Sequence, residues 1–388
     1  MLRQSESLDD LLAKFISRGI NSVAEPLLDV LRVGAYQLRH LDRVPPHAAV
    51  ATTVALAREL VNERSAGFAN AVLRKIAATP RATRDAVVPV ARAQHAAPLQ
   101  PNASHPGWLV SRWTARFGPD ATDALLAWNN TKPLLVLQPT RGTMAALEEM
   151  VHTDGVIASY APFDAGVVVS ESRPERLPGF DAGDFFVQDP AQALVVRFAD
   201  FPSDAVVYDA CAAPGGKLLG LTWRSRHVVA ADRSRPRLRR VTENIARAGR
   251  GSEHVIAADA AHPPIRQVQA YLLDAPCLGT GSFARHPDAR LRVTLEALHQ
   301  LAAAQRVLLD AAAERIAPGG VLCYATCSLE PEENEMQVNA FLRRHPEFHR
   351  QPPASFPVEL LTSDGDLMTL PQRDRIDGAF GARLVRSA

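Results

Sequence analysis

Between residues 8 and 78 the apolar positions recur at helical spacing. The segments LLAKFI, PLLDVLRVGAYQLRHL, AAVATTVALARELV and FANAVLRKIAA each carry one apolar stripe. The stretches between them, RGIN, RVPPH and NERSAG, supply turn residues. This pattern predicts a small helical bundle over 1–80. A run rich in Pro, Ala and Arg follows at 81–104 and reads as a linker. Next, PGWLVSRWTARFGPDATDALLAW predicts two short amphipathic helices. Three short strand patterns, LLVLQP, VIASYAP and AGVVVSES, and a helix around AALEEMV then complete a small α+β domain over 105–185.

From Gln188 the pattern changes to short apolar strands alternating with longer helical segments. VVYDA, HVVAA, HVIAA, YLLDA and VLCYA are the strands, with helices near 215–225, 234–248, 294–316 and 332–345. Such alternation predicts an α/β domain with a parallel sheet over 186–388. At 388 residues the chain exceeds one ordinary core, which agrees with two or three domains.

Composition adds three constraints. Apolar residues make up 47% and no run is long enough for a membrane span, so a cytoplasmic protein without membrane partners is expected. Only four of the 43 basic residues are lysine, namely Lys14, Lys75, Lys132 and Lys217. Nine arginines between Arg224 and Arg250 face only Asp232 and Glu243, which makes either a basic face for a polyanion or an ordinary solvated helix surface. The cysteines are Cys211, Cys277, Cys323 and Cys327, with no CxxC pair, so neither a zinc site nor another metal centre is expected.

Four successive strands end in, or just before, an aspartate: Asp209, Asp232, Asp259 and Asp274. Ligands of a doubly wound sheet bind outside the carboxyl ends of its strands, so these acids share one crevice. Any one of them alone reads equally well as a helix cap. After VVYDA comes CAAPGGK, in which Gly215 and Gly216 let backbone approach a ligand closely. The loop matches neither GxGxxG nor GxxxxGK[ST], since Leu218 follows Lys217. A nucleoside without a pyrophosphate suits it, and S-adenosyl-L-methionine fits that description.

Cys277, in DAPCLGTG, and Cys327, in YATCS, both lie just past strand ends on the edge that carries the aspartates, while Cys323 has apolar neighbours and belongs to the core. Two thiols and a carboxylate beside a methyl donor suit methylation at carbon 5 of a pyrimidine. A thiolate added at carbon 6 makes carbon 5 nucleophilic, and an acid such as Asp274 stabilises the adduct near ring N3. The residues alone leave open which thiol attacks.

DACAAPGGK, LLDAPCLGTGSFARHPD and YATCSLEPEENE resemble, in order and spacing, the motifs of the Sun-type RNA (cytosine-5) methyltransferases. GAYQLRHLDRVPPHAAV with GFANAVLRKI is similar to the NusB-like RNA-binding domain of the family's bacterial 16S rRNA member. SHPGWLVSRWTARFG resembles the start of that member's middle domain. The resemblance implies a Rossmann-like class I methyltransferase domain, preceded by an all-α NusB-like bundle and a small α+β domain. It further implies that Cys211, Ala212, Ala213, Pro214, Gly215, Gly216, Lys217, Asp232, Asp259 and Asp274 bind S-adenosyl-L-methionine. Cys327 would be the nucleophile and Cys277 the residue that assists release. The partner would be RNA, most simply 16S rRNA, with tRNA or a non-catalytic RNA-binding scaffold as alternatives, and the protein would act as a monomer.

Three departures from the family pattern stand out. The family's N-terminal domain begins with one or two more helices than fit before Ser7, so either the true start lies upstream or this protein lacks them; LLVLQPTRG replaces an Arg-Val-Asn strand, and DGAFGARL replaces DGFFAARL. Arg285, His286, Arg290 and Arg292 are candidates to hold phosphates flanking a flipped-out base.

Overall fold

The computed structural model describes residues 5–41, 44–79, 104–153, 155–225, 227–249 and 254–388. The expected linker therefore lies outside the described residues except for Ser104, as do Arg226 and Arg250 of the basic run. The chain divides into two compact units, Met1–Thr131 and Lys132–Ala388.

The first unit is helical: α1 (Ser5–Ala13), α2 (Glu25–His40), α3 (Pro46–Leu60), α4 (Glu63–Ala78), α5 (Gly107–Phe117) and α6 (Pro119–Asn129). The apolar stripes of α1–α4 meet in one core that includes Leu12, Leu31, Ala57, Leu73 and Ile76. Arg32 of α2 ties α1 in place through two 2.7 Å bonds to Asp9. The break expected at NERSAG is shorter than the sequence suggests. Asn62 caps α4 by accepting the backbone N–H of Ser65 at 2.8 Å, so Glu63 through Gly67 are already helical.

The second unit opens with β1 (Leu135–Pro139), α7 (Met144–Val151), β2 (Ala158–Tyr160), β3 (Val167–Val169) and β4 (Phe185–Val187). These strands form an antiparallel sheet in the order β2-β3-β1-β4. β4 was not foreseen, because three consecutive apolar residues carry no period. It runs directly into α8 (Pro190–Ala199), which Asp189 caps at 2.8 Å through the Ala191 N–H.

The larger sheet follows: β5 (Val206–Asp209), α9 (Gly216–Arg224), β6 (His227–Asp232), α10 (Arg235–Arg247), β7 (His254–Ala257), β8 (Val268–Asp274), α11 (Leu295–Ala313) and β9 (Ile316–Thr326). It ends with α12 (Glu335–Arg344), β10 (Phe348–Arg350), β11 (Leu367–Thr369) and β12 (Ala379–Arg386). Strand order is β10-β12-β9-β8-β5-β6-β7, with β11 also paired to β12. β5 to β9 are parallel, as the alternating pattern predicts. The last three strands are antiparallel and went unseen, because Gly381 and Arg383 interrupt the apolar run of β12. The sheet is thus mixed, and mostly parallel.

Each central strand is apolar on both faces, as a sheet covered on both sides requires. Val207, Leu272 and Cys323 face one core with α8, α9 and α10. Tyr208, Tyr271, Leu322 and Tyr324 face another with α11 and α12. The chain runs outward from β5 through β6 to β7, then returns to pair β8 on the other side of β5. The carboxyl ends of β5 and β8 therefore flank a topological switch point, the place where such sheets bind ligands.

The loop after β8 crosses the loop before β12 backbone to backbone, where Gly378 N donates to Gly281 O at 2.8 Å. A Cβ on Gly281 would lie 2.5 Å from the Gly378 carbonyl oxygen, which no side-chain rotation relieves. We expect Gly281→Ala to lower the stability of the second unit by about 1–3 kcal/mol, read as a lower urea midpoint with unchanged slope.

Candidate active site

The loop from Cys211 to Lys217 leaves β5 at Asp209 and enters α9. Gly215 makes the turn at φ 108°, a backbone conformation that glycine adopts without a Cβ penalty. The loop is fixed from both sides. Ala212 N donates to Ala231 O at 2.9 Å. From α10, Arg237 donates to Ala213 O, and Asn244 donates to Pro214 O at 3.1 Å.

Asp209 is fully buried at the end of β5, and neither carboxyl oxygen meets a hydrogen-bonding partner of normal geometry. Burial, reinforced by the nearby Asp274 carboxylate, pushes its pKa up to about 8. Asp232, also buried, accepts the Ser234 N–H at 2.8 Å, with the Arg237 guanidinium 3.5 Å from its second oxygen. Asp259 lies two residues beyond β7, well exposed, and accepts the Ala261 N–H at 3.0 Å. These strand-end acids thus sit along one edge in very different environments. A buried carboxyl without a partner, beside further acids and a glycine turn, suits a ligand with a cationic amino-acid end and ribose hydroxyls. S-adenosyl-L-methionine fits that donor set.

Lys217 reaches across the switch point. Its ammonium donates to Asp274 at 2.6 Å, and its side chain is only 10% exposed. Burial opposes its charge, yet Asp274 outweighs that and holds the pKa above the usual lysine value. Sequence reasoning placed Lys217 among the cofactor contacts. In the fold, its charge lies between the cofactor edge and the thiols.

Cys277 and Cys327 come together. Their sulfurs are 3.3 Å apart, and the Cys327 N–H points at Cys277 Sγ, also at 3.3 Å. Cys323 is fully buried in the strand core, as expected. The thiols differ in surroundings. The hydrogen bond from Cys277 lowers the pKa of Cys327, burial and Asp274 oppose that, and Lys217 assists it. The same bond and burial raise Cys277 well above the usual thiol value, and Glu333 adds to the rise. A backbone N–H onto Cys277 works the other way, but a peptide dipole is weaker than the full charges of Lys217 and Glu333. Both sets of causes point the same way, making Cys327 the more acidic thiol of the pair and Cys277 the less acidic.

Two groups, Glu333 and Gln305, escaped the sequence reading, and one it named, Arg285, turns elsewhere. Glu333 is fully buried and accepts the Leu278 N–H at 2.9 Å and Gln305 Nε2 at 2.9 Å. Gln305 also donates to Pro276 O at 2.8 Å. Arg285, expected to meet phosphate, instead bonds Asp189 at 2.5 Å and Asp377 at 3.0 Å, two buried acids. Arg290 is likewise buried. Of that set only His286 and Arg292 remain exposed, and Arg292 pairs with Asp288 at 2.8 Å. A basic residue beside a loop says nothing of which way it turns, so the sequence carried no signal for this inversion.

Fold and site together define a class I, nucleoside-cofactor methyltransferase with two thiols in contact beside its ligand edge. Comparison with known proteins agrees. Residues 199–385 match the family model described as 16S rRNA methyltransferase RsmB/F, and residues 1–78 match the NusB family. Ribosomal RNA small subunit methyltransferase B of Pseudomonas syringae pv. tomato is 35% identical over 404 residues, covering 100% of this chain and 87% of that protein. Its counterpart in Vibrio vulnificus is 33% identical over 400 residues, covering 100% and 89%. Among solved structures, PH0851 aligns at TM-score 0.81 and 22% identity, covering 99% of this chain and 87% of its own. NSun6 from Pyrococcus horikoshii, crystallised with SFG, aligns at 0.65 and 19%, covering 74% and 100%. The chain belongs to the 16S rRNA methyltransferase RsmB/F family, with an N-terminal NusB region. It is an S-adenosyl-L-methionine-dependent rRNA cytosine-5 methyltransferase.

The raised pKa of Asp209 has a consequence for stability. An unfolded aspartate titrates near ~4. The ligand-free fold therefore binds one more proton than the unfolded chain between about pH 4 and pH 8, and stability is lost progressively across that window. We expect Asp209→Asn to flatten this fall and to raise the ligand-free thermal midpoint at pH 8, while weakening cofactor binding in calorimetry.

Proposed function

We propose that Cys327 is the nucleophile that adds to carbon 6 of a cytosine in 16S rRNA, and that Cys277 assists its departure. The observation that carries this reading is the 3.3 Å thiol pair, with Lys217 on the Cys327 side and Glu333 on the Cys277 side. The residues Cys211 to Lys217, Asp232 and Asp259 hold S-adenosyl-L-methionine, together with Asp274 near the methyl-bearing end. When bound, that cofactor supplies an electrophilic methyl group to carbon 5.

The chain's own residues account for the rest. The Cys327 thiolate forms a C–S bond at carbon 6, and the ring's displaced electron density makes carbon 5 nucleophilic. Negative charge building toward N3 is met by the proton shared between Lys217 and Asp274, 2.6 Å apart. After methylation a water molecule takes up the carbon-5 proton, the electrons of that C–H bond restore the C5–C6 double bond, and the C–S bond breaks to return the Cys327 thiolate. Cys277 donates a hydrogen bond to that departing sulfur, re-forming the resting pair. Because a base inside a helix exposes neither face, the target cytosine is single-stranded or flipped out.

Among the described residues no helix is long and apolar enough to cross a membrane. We place the protein in the cytoplasm, acting as a monomer, with the domains divided at 1–80, 105–185 and 186–388.

Cys327→Ala abolishes the denaturant-resistant RNA–protein adduct. Cys277→Ala accumulates it while turnover falls by at least ~100-fold, the scale of losing a positioned acid–base group. Gel shift after denaturation, peptide mapping of the adduct, and transfer of labelled methyl to undermethylated 16S rRNA, tRNA and DNA provide the readouts. An adduct on Cys277 in the unaltered protein reverses the assignment, and incorporation into tRNA instead of 16S rRNA overturns the substrate.

A further inference from the structure

Glu333 has no part in the steps above, yet it is fully buried beside the reaction centre. It comes immediately before Asn334 and α12, ten residues after Cys323 along the chain, and its carboxylate turns back to the loop after β8. There it grips the peptide that carries Cys277 from both sides. The Leu278 N–H donates to both carboxylate oxygens, at 2.9 and 3.2 Å. Gln305 Nε2 joins Glu333 to Pro276 O, with bonds of 2.9 and 2.8 Å. The Tyr324 hydroxyl fixes the Glu333 carbonyl at 2.6 Å, so the residue is anchored by its own backbone as well.

Burial works against ionisation of this carboxylate, and the hydrogen bonds from Ser328, Leu278 and Gln305 offset that in part, so taking its charge from water is costly. A neutral glutamine would brace the same loop without that cost. The charge itself therefore calls for an explanation. Around the thiols the charged and titratable groups are Lys217 from α9, Asp274 from β8, Tyr324 from β9 and Asp377 from the loop before β12. Glu333, with Glu330 nearby, faces them from the loop after β9. Lys217 lies toward Cys327, whereas Glu333 straddles the peptide units on either side of Cys277.

We propose that Glu333 is a positioning residue whose negative charge keeps the proton on Cys277, so that the thiolate resides on Cys327. It acts through the Pro276–Leu278 loop and through its field, without touching substrate. The effect is to break the near-symmetry of two thiols 3.3 Å apart, either of which is chemically able to attack. The inference rests on the assignment of Cys327 as nucleophile.

Burial pushes the pKa of Glu333 up to about 7, so at pH 8 the carboxylate is ionised and its influence is measurable. The test is limiting alkylation of the full-length protein by iodoacetamide at pH 8, with the share of label on Cys277 and Cys327 counted by mass spectrometry. The unaltered protein labels Cys327 in excess. Glu333→Gln keeps an acceptor for Leu278 but removes the charge, and raises the Cys277-to-Cys327 ratio by about three- to tenfold, tenfold being one pKa unit. Glu333→Leu removes brace and charge together, and thermal melting separates its loss of folding from the shift in label. An unchanged ratio in Glu333→Gln, with the RNA adduct still on Cys327, overturns the role of Glu333 alone. An adduct on Cys277 in the unaltered protein overturns the nucleophile assignment instead.

Discussion

The Lys217–Asp274 ion pair is the interaction on which the centre depends. It spans the point where the sheet reverses its order, joining the helix after β5 to the end of β8 at 2.6 Å. Buried pairs gain little over apolar packing, yet losing one partner strands the other charge at a cost of about 3–5 kcal/mol. Here the surroundings make the pair still more necessary. Asp209 and Asp232 stand on the cofactor side and Glu333 and Asp377 on the thiol side, and burial raises Asp209, Glu333 and Asp377 so that each resists ionising there. An ammonium at this place favours charge on Asp274 and on the nearer thiol, Cys327, against the opposing effect of burial. Lys217 is one of only four lysines in the chain. A compact point charge suits a position that must serve carboxylate and sulfur at once, where the flat guanidinium of arginine would be committed to one of them.

Around that pair, rigidity comes from interlocked loops rather than from strands. The carbonyl of Cys327 accepts Gly281 N at 2.9 Å, and Gly281 O in turn accepts Gly378 N at 2.8 Å. Thr280 Oγ1 accepts Leu329 N at 2.8 Å. Thr326 and Ser328 are tied to Asn334 at 2.6 and 2.8 Å. Arg285 then joins Asp189, the cap of α8, to Asp377 before β12. Loops from four places in the chain so fix each other by hydrogen bonds between buried groups. A sulfur nucleophile must meet a ring carbon within a few tenths of an ångström, and this cross-bracing supplies that precision where no regular element reaches.

The sequence made the parallel sheet and its ligand edge legible because both follow from local patterns. Apolar strands ending in aspartate, and a glycine turn entering a helix, need no knowledge of distant contacts. The two thiols were legible for the same reason, since Cys323 lies one strand turn inside the core while Cys327 lies just past its end. What stayed hidden depends on tertiary direction. Glu332 and Glu333 are neighbours of identical type, yet only Glu333 turns inward to meet Leu278 and Gln305. The antiparallel strands β10 to β12 stayed hidden because β10 and β11 depend on pairing with β12, and β12 on pairing with β9, rather than on any period of their own.

The same limit governs the basic run, and it changes how RNA binding is to be understood. Counting arginines along residues 224–250 overstates the free cationic surface, for two of them bond the protein's own groups, Arg237 from an exposed position and Arg247 from a half-buried one. Arg237 grips the cofactor loop and Asp232. Arg247 donates to the Phe185 carbonyl at 3.0 Å and lies 5.0 Å over the Phe180 ring. After the Cys277 loop, Arg290 is buried and the half-buried Arg285 is taken up by Asp189 and Asp377. Arg224, Arg233, Arg235, Arg239 and Arg240 stay exposed, most of them near the start of α10. The salt dependence of any polyanion binding follows the number of phosphates neutralised, so this smaller set bounds it and not the composition of the segment. Arginine therefore has two placements in this fold. Taken up by neighbouring groups, its fork joins loops to carbonyls and acids; along α10 it leaves positive charge exposed to solvent.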